Sequence, residues 1–143
     1  MPTDTLRGMQ IRRRSIAAVL ATLAFIAPLA ACSGGSDSVT DVTASEASAV
    51  LSEPGVTVVD VRTPAEYAEG HLPGAVNVDV ESGSFEQDIQ QLPTDGTYFV
   101  YCRSGNRSGV ATDQMAELGF TDVYDLQGGI VDWQSAGGQV VTG

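Results

Sequence analysis

The sequence predicts an α/β domain with a mostly parallel sheet that is covered by helices on both faces. Residues 56–61 are a β-branched run with a proline-containing turn signal on each side, and residues 97–101 are a second apolar run. Residues 75–78 and 123–126 are shorter stretches that we also predict as strands. Helix signals lie between these strands, and strands that alternate with helices favour a parallel sheet.

Two capping boxes mark the starts of predicted helices. Thr43 precedes Glu46 by three residues, and Thr63 precedes Glu66 in the same way. In this pattern the hydroxyl and the carboxylate each satisfy a backbone N–H group at the helix start. Pro64 strengthens the second signal, because proline is favoured at the first helical position.

A third helix, about ten residues long, is predicted to begin near Ser108. Apolar side chains recur at positions 111, 115 and 118, which lie on one face of a helix. Gly119 follows the last of them and suits the C-terminal end of that helix.

Residues 1–31 have the pattern of a secretory signal peptide. Three arginines at positions 12–14 form a basic region, and the apolar run 16–27 follows it. That run is short of the roughly 20 apolar residues that span a membrane. A retained anchor helix is the alternative interpretation.

The end of this segment indicates a lipid anchor. Residues 29–32 read Leu-Ala-Ala-Cys and resemble the lipobox of bacterial lipoproteins, in which cleavage precedes the cysteine. Cys32 is therefore the predicted lipidation site, and each buried acyl methylene contributes about 0.8 kcal/mol to membrane binding. Residues 32–38 then form the lipidated cysteine and a flexible Ser/Gly-rich tether, and residues 39–143 form the folded domain. We expect an exported protein, anchored at the periplasmic or extracellular face of a cell membrane.

The charge of the chain restricts its partners. The chain has a formal net charge of −11 and no lysine. Residues 1–31 carry four arginines and one aspartate, so the remaining residues have a net charge of −14. Such an acidic surface repels nucleic acid, and we expect no nucleic-acid partner. The arginines left are Arg62, Arg103 and Arg107, and the last two lie close to Cys102, which makes that region a candidate anion site.

Residues 101–109, Y-C-R-S-G-N-R-S-G, connect a predicted strand to the helix that begins near Ser108. In open α/β sheets, ligands bind at the carboxyl ends of strands. Gly105 and Gly109 permit a tight turn and a close approach of the backbone to a ligand. The N–H groups of such a turn, together with the helix N-terminus, form a nest for an anion.

Cys102 is predicted to be an activated nucleophile. A helix N-terminus and nearby arginines lower a cysteine pKa from about 8.5 to roughly 3.5–7.5. A buried, inert cysteine is the alternative, but it leaves the glycines and arginines of the loop unexplained. No second cysteine lies in residues 39–143, which disfavours a disulfide exchanger. One cysteine and the one histidine, His71, cannot assemble a metal site, so we expect no metal and no cofactor, and we interpret His71 as structural.

Three separated motifs resemble the single-domain rhodaneses. Residues 60–78 read D-V-R-T-P-A-E-Y-A-E-G-H-L-P-G-A-V-N-V, residues 102–108 read C-R-S-G-N-R-S, and residues 128–133 read G-G-I-V-D-W. The motifs have the order and the distances usual in that family, and the resemblance extends from about residue 39 to 141. It implies a rhodanese-like three-layer fold, in which a five-stranded parallel sheet is flanked by helices.

The resemblance also implies a thiosulfate sulfurtransferase. The Cys102 thiolate would attack the outer sulfur of a small anionic donor such as thiosulfate, sulfite would leave, and the persulfide would pass its sulfur to cyanide or a thiol. The loop would cradle the persulfide, and Arg103 and Arg107 would bind the donor oxygens. Asp60 and Arg62 would support the floor of the site, most simply as a structural ion pair. The implied substrate-binding residues are Arg103, Ser104, Gly105, Asn106, Arg107 and Ser108.

Two other function classes remain open. Cysteine phosphatases and arsenate reductases share the rhodanese fold and use a C-x₅-R loop. Here Arg107 lies five residues after Cys102 and Ser108 occupies the sixth position, so the loop is one residue short of that pattern. The second alternative is a non-catalytic, membrane-tethered persulfide carrier or binding module that serves a protein acceptor.

Overall fold

A computed structural model describes residues 37–143 of the chain. The predicted signal peptide (residues 1–31), the predicted lipidation site Cys32 and residues 33–36 of the predicted tether lie outside the described residues. Within residues 37–143, none of the helices has the length and apolar character needed to cross a bilayer.

Strands and helices alternate along the described chain. The strands are β1 (Val39–Val42), β2 (Val56–Asp60), β3 (Val76–Asn77), β4 (Thr97–Tyr101) and β5 (Asp122–Leu126). The helices are α1 (Ala44–Leu51), α2 (Pro64–Glu69), α3 (Phe85–Ile89), α4 (Asn106–Glu117) and α5 (Gly129–Ser135). The two predicted capping boxes lie at the starts of α1 and α2.

The five strands form one parallel sheet in the order β1-β5-β4-β2-β3. This confirms the predicted fold class. Helices α3 and α4 cover one face through a core that includes Ile89 and Met115, and α1 and α5 cover the other through Ala47 and Trp133. Strand β4 lies at the centre of the sheet and Tyr98–Tyr101 are buried, as a strand covered on both faces requires.

Some elements differ from the prediction for local reasons. Strand β1 was not predicted, because it lies at the sheet edge and only Val42 is buried in its V-T-D-V sequence. Helix α3 has five residues, too few to show helical periodicity. The strand predicted at residues 75–78 is only two residues long. Helix α4 begins at Asn106, two residues before the predicted start, because Gly105 adopts a left-handed conformation with φ of 100° and redirects the chain there.

The sheet topology brings three chain segments together at one edge. Strands β2, β4 and β5 are adjacent and parallel, so their carboxyl ends meet at the same edge of the sheet. Asp60 ends β2, Cys102 follows β4, and the glycine pair 128–129 follows β5. The first and the third sequence motifs, residues 60–78 and 128–133, therefore meet the second motif, which carries Cys102.

Candidate active site

The sulfur of Cys102 lies inside the turn between β4 and α4. Cys102 is 1% exposed, and its Sγ accepts a hydrogen bond from the backbone N–H of Gly105 at 3.0 Å. The thiol also donates to Oγ of Ser108, 3.6 Å away. Residues 102–105, called the Cys102 loop below, thus wrap around the sulfur and place it at the N-terminus of a 12-residue helix. That helix end carries partial positive charge.

The N-terminus of helix α5 binds the carbonyl groups of the Cys102 loop. The N–H of Ile130 donates to the Cys102 carbonyl at 2.9 Å, and the N–H of Val131 donates to the Arg103 carbonyl at 3.2 Å. Both N–H groups belong to the first turn of α5, which has no intrahelical acceptor for them. A Cβ atom at Gly129 would collide with the backbone of Cys102 and Arg103. Sequence reasoning placed the glycine pair in a motif but missed this supporting role. The available signal was a Gly-Gly pair one residue after a strand.

Arg107 is bound by two carboxylates. Its Nη1 and Nη2 atoms donate to the two oxygens of Glu66, each at 2.8 Å, and Nη1 also donates to Glu81 at 3.2 Å. The hydrogen bond from Arg107 is the main cause that lowers the pKa of Glu66 to about 2, and the same contact raises the pKa of Arg107. Glu66 thus takes part in the predicted capping box and also binds Arg107. Sequence reasoning missed the contact with Arg107. The contact ties α4 to α2 across the mouth of the site.

Arg103 has a different environment. It is exposed, as are Ser104 and Asn106, and it forms no ion pair in the described part of the chain. Arg103 lines a cavity of about 270 Å³ next to the Cys102 loop, together with the carboxylates of Glu66 and Glu69. Of the two arginines predicted to bind an anion, Arg103 is therefore the one whose guanidinium is not held by a carboxylate.

Asp60 and Arg62 form a buried ion pair at the carboxyl end of β2. Arg62 Nη2 lies 2.6 Å from Oδ2 of Asp60 and also donates to the carbonyl of Gly70 at 2.6 Å. The hydroxyl of Tyr101 donates to Asp60 at 2.6 Å. Burial alone would lower the pKa of Arg62, but the hydrogen bonds and charge of Asp60 outweigh it and raise that pKa. Through the Tyr101 hydroxyl, the pair ties β2 to the end of β4, next to Cys102.

His71 has structural contacts and forms no hydrogen bond to the sulfur of Cys102 in the described part of the chain. Its Nδ1 donates to the carbonyl of Tyr67 at 2.8 Å, and its ring stacks on the Tyr67 ring at a centroid distance of 3.8 Å. Its backbone N–H and carbonyl both bond to Val141. The imidazole and the backbone of His71 are thus used in structural contacts. The sulfur of Cys102 forms its hydrogen bonds with Gly105 and Ser108.

Asp125 was not singled out from the sequence. It lies on β5, is buried, and burial is the main cause that raises its pKa to about 6. The hydroxyl of Ser108, whose Oγ atom also contacts the sulfur, acts in the opposite direction on this pKa. A sequence signal for Asp125 was available. In a strand, residues two positions apart lie on the same face, and Asp125 is two positions after the buried Val123.

Comparisons with known proteins agree with this geometry. The Rhodanese-like domain family matches residues 43–136. A thiosulfate sulfurtransferase, GlpE, from Pseudomonas fluorescens strain SBW25 is 40% identical over 86 residues, which cover 59% of this chain and 76% of that protein. A sulfurtransferase from Allochromatium vinosum is 36% identical over 86 residues, covering 60% of this chain and 78% of the relative.

A solved structure gives the same result for the fold. The crystal structure of a rhodanese-related protein from Thermoplasma volcanium superposes with a TM-score of 0.64 at 29% identity, covering 72% of this chain and 98% of that one. The sequence motifs, the five-stranded parallel sheet and the family match all lead to the same conclusion. The chain belongs to the rhodanese family.

Proposed function

We propose that this chain is a sulfurtransferase that moves a sulfane sulfur from thiosulfate or a related anionic donor to cyanide or a thiol, through a persulfide on Cys102. The observation that carries the proposal is the position of the sulfur. Sγ of Cys102 is buried at the N-terminus of α4 and accepts a hydrogen bond from the Gly105 N–H at 3.0 Å. Relatives named as sulfurtransferases support the same reaction class.

The reaction needs a negative sulfur at two stages. As a thiolate, Cys102 attacks the outer sulfur of the donor; the bond between the two donor sulfurs breaks, and sulfite leaves with the electron pair. The product is a persulfide whose outer sulfur is also anionic at neutral pH. Backbone N–H groups and the positive end of α4 stabilise negative charge without having to reorganise during the reaction. A cyanide or thiolate acceptor then attacks the outer sulfur, and Cys102 leaves as a thiolate.

The acceptor must come from outside the domain. Cys102 is the one cysteine among residues 37–143, so no second thiol in this part of the chain can resolve the persulfide. A small thiol, cyanide or a protein thiol would serve. Both a catalyst and a non-catalytic persulfide carrier would need such an external acceptor. A measurement of turnover distinguishes these two functions.

Turnover tests the proposal. With thiosulfate and cyanide, the wild-type protein is expected to form thiocyanate over many cycles, and Cys102→Ser is expected to form none, because a serine hydroxyl is a poor partner for sulfane sulfur. One equivalent of transferred sulfur without turnover would instead indicate a carrier.

The phosphatase alternative has its own measurement. Because Arg107 is five residues after Cys102 and is held by Glu66, we expect negligible hydrolysis of an aryl phosphate by the wild-type protein. Insertion of one glycine between Gly105 and Asn106 moves the arginine to the sixth position and is expected to raise hydrolysis of the phosphate ester at the expense of sulfur transfer. Hydrolysis of phosphate esters or reduction of arsenate by the wild-type protein, without any sulfur transfer, would overturn the sulfurtransferase proposal.

Arg103 and Arg107 are proposed to bind the anionic donor. Arg103→Ala is expected to raise KM for thiosulfate and to lower kcat/KM by about tenfold or more, the loss that corresponds to a hydrogen bond with a charged group of about 1.5 to 3 kcal/mol. Arg107→Ala is expected to act in the same direction. Glu66→Gln is expected to lower KM, because it releases Arg107 from its bidentate contact.

Glu53→Gln is the matched control for the last variant. It removes the same charge from a residue that lines a cavity near the opposite ends of the strands, beside Val56 and Thr97. If both arginine variants retain the wild-type kcat/KM, neither arginine binds the donor. If Glu53→Gln lowers KM as much as Glu66→Gln does, the effect reflects net charge alone.

We also propose that Cys32 is lipidated and anchors the exported domain to a membrane. The proposal is supported by the basic region, the apolar run and the lipobox-like residues 29–32. The wild-type protein is expected to fractionate with membranes, and Cys32→Ser is expected to release it. Recovery of the unmodified wild-type protein wholly in the soluble secreted fraction would contradict the anchor.

A further inference from the structure

The cavity beside the Cys102 loop, called the mouth cavity below, has a composition that the donor alone does not explain. Its volume is about 270 Å³, and Arg103 of the loop forms part of its wall. Ile130 and Val131 also line it, and their N–H groups bond to the carbonyls of Cys102 and Arg103. The mouth cavity is thus in contact with the loop that holds the sulfur. Sites for drug-sized ligands have volumes of roughly 300–1,000 Å³, so a ligand that fills this cavity is small.

Four charged side chains line the mouth cavity, and two of them are already paired. Arg62 is held by a carboxylate of β2 at 2.6 Å, and Glu66 is held by a guanidinium of α4 at 2.8 Å. The other two are Glu69 and Arg103. Neither forms an ion pair within residues 37–143, so they are not paired with each other either. The mouth cavity therefore presents one carboxylate and one guanidinium that are both available to a ligand.

Stability does not explain the position of Glu69. It is the last residue of α2, and it is exposed. The C-terminus of a helix carries partial negative charge, which disfavours a carboxylate there. The same carboxylate would repel an anionic donor such as thiosulfate. A ligand with a positively charged group would instead give Glu69 a partner.

The acceptor step fits both charges. Arg103 is proposed to bind the oxygens of the donor, and sulfite then leaves, so the guanidinium is free again when the acceptor arrives. A thiol that carries an ammonium group and a carboxylate can bond to Glu69 through the first and to Arg103 through the second. Val131 and Val140 also line the mouth cavity and offer apolar surface to the carbon atoms between these groups.

We propose that the sulfur acceptor is a small zwitterionic thiol, of which free cysteine is the simplest, and that Glu69 and Arg103 select it at the mouth cavity. The acceptor thiol first loses its proton to solvent, and its thiolate attacks the outer sulfur of the Cys102 persulfide. The bond between Sγ and the outer sulfur breaks, and Cys102 leaves as a thiolate with the electron pair. The product is the persulfide of the acceptor. This inference rests on the proposed function, because it requires a persulfide on Cys102.

The test isolates the acceptor step. The full-length protein is loaded with thiosulfate, the excess donor is removed, and loss of the added sulfur is followed by the mass of the peptide that carries Cys102, which separates it from Cys32. Three thiols are compared: cysteine, N-acetylcysteine, which lacks the ammonium group, and cysteamine, which lacks the carboxylate. Each thiol is compared between the wild type and a variant at one pH, so that its thiolate fraction and its intrinsic reactivity cancel.

The variants are expected to change the three rates differently. Glu69→Gln is expected to slow cysteine and cysteamine by about two- to fivefold, the range for an exposed ion pair, and not to slow N-acetylcysteine. Glu69→Lys is expected to slow cysteamine further and to accelerate N-acetylcysteine. Arg103→Ala is expected to slow cysteine and N-acetylcysteine but not cysteamine. Glu53→Gln is the matched control, and it is expected to change none of the three rates.

The outcomes separate charge selection from a folding defect. A misfolded variant would lose sulfur more slowly to every acceptor, cyanide included, whereas opposite changes for cysteamine and N-acetylcysteine in Glu69→Lys arise only from charge. The inference is overturned if Glu69→Gln slows all three thiols equally or none of them, or if Glu53→Gln has the same selective effect.

Failure of the inference and failure of the proposed function give different results. If cyanide removes the added sulfur but the Glu69 variants treat the three thiols as the wild type does, the chain is a sulfurtransferase without this acceptor selection. If no sulfane donor adds sulfur to Cys102, both proposals are wrong.

Discussion

The hydrogen bond from the Gly105 N–H to Sγ of Cys102 is the interaction on which the site depends. The domain is strongly acidic, and the proposed reaction requires a buried sulfur to carry negative charge. Backbone N–H groups can stabilise that charge without a cationic side chain. The cost is conformational: Gly105 adopts a φ of 100°, which a residue with a Cβ rarely adopts. The rest of the fold keeps the loop in this conformation.

The supports come from three strands that end at the same edge of the sheet. Helix α5 follows β5 and fixes the carbonyls of Cys102 and Arg103, and Gly129 allows the close contact. The ion pair of Asp60 and Arg62 lies at the carboxyl end of β2 and is bonded to Tyr101, the last residue of β4. The position of the sulfur is thus determined by residues that are far apart in the sequence and adjacent in the sheet.

The few cations of the domain are mostly used in structural contacts. Arg62 is buried against Asp60, and Arg107 joins α4 to α2 through Glu66. Arg103 remains as the exposed arginine at the mouth. In the proposed reaction, an anionic donor would meet Arg103, whose guanidinium is not held by a carboxylate, and Arg107, which stays bonded to Glu66. Backbone dipoles would supply the remaining stabilisation. Asp125 adds a buried carboxyl group on β5.

Local signals predicted much of this structure. The β-branched runs and capping boxes are short-range patterns, and β2, β4, α1 and α2 lie where those patterns indicated. The Cys102 loop was found because glycines, arginines and a cysteine in one short segment indicate an anion site. Contacts between segments that are distant in the sequence could not be predicted from such short-range patterns. The bond between Arg107 and Glu66 spans 41 residues, and the burial of Asp125 depends on how α4 packs over β5, so neither had a local pattern.

The central claim is that the Cys102 loop exists to form and hold a persulfide. The most direct test is the mass of the peptide that carries Cys102 after incubation of the full-length protein with thiosulfate. The account predicts a gain of one sulfur atom on Cys102, removed by cyanide or a small thiol and absent in Cys102→Ser. No gain of sulfur with any sulfane donor, in a protein whose Cys102 still reacts with iodoacetamide, would contradict it.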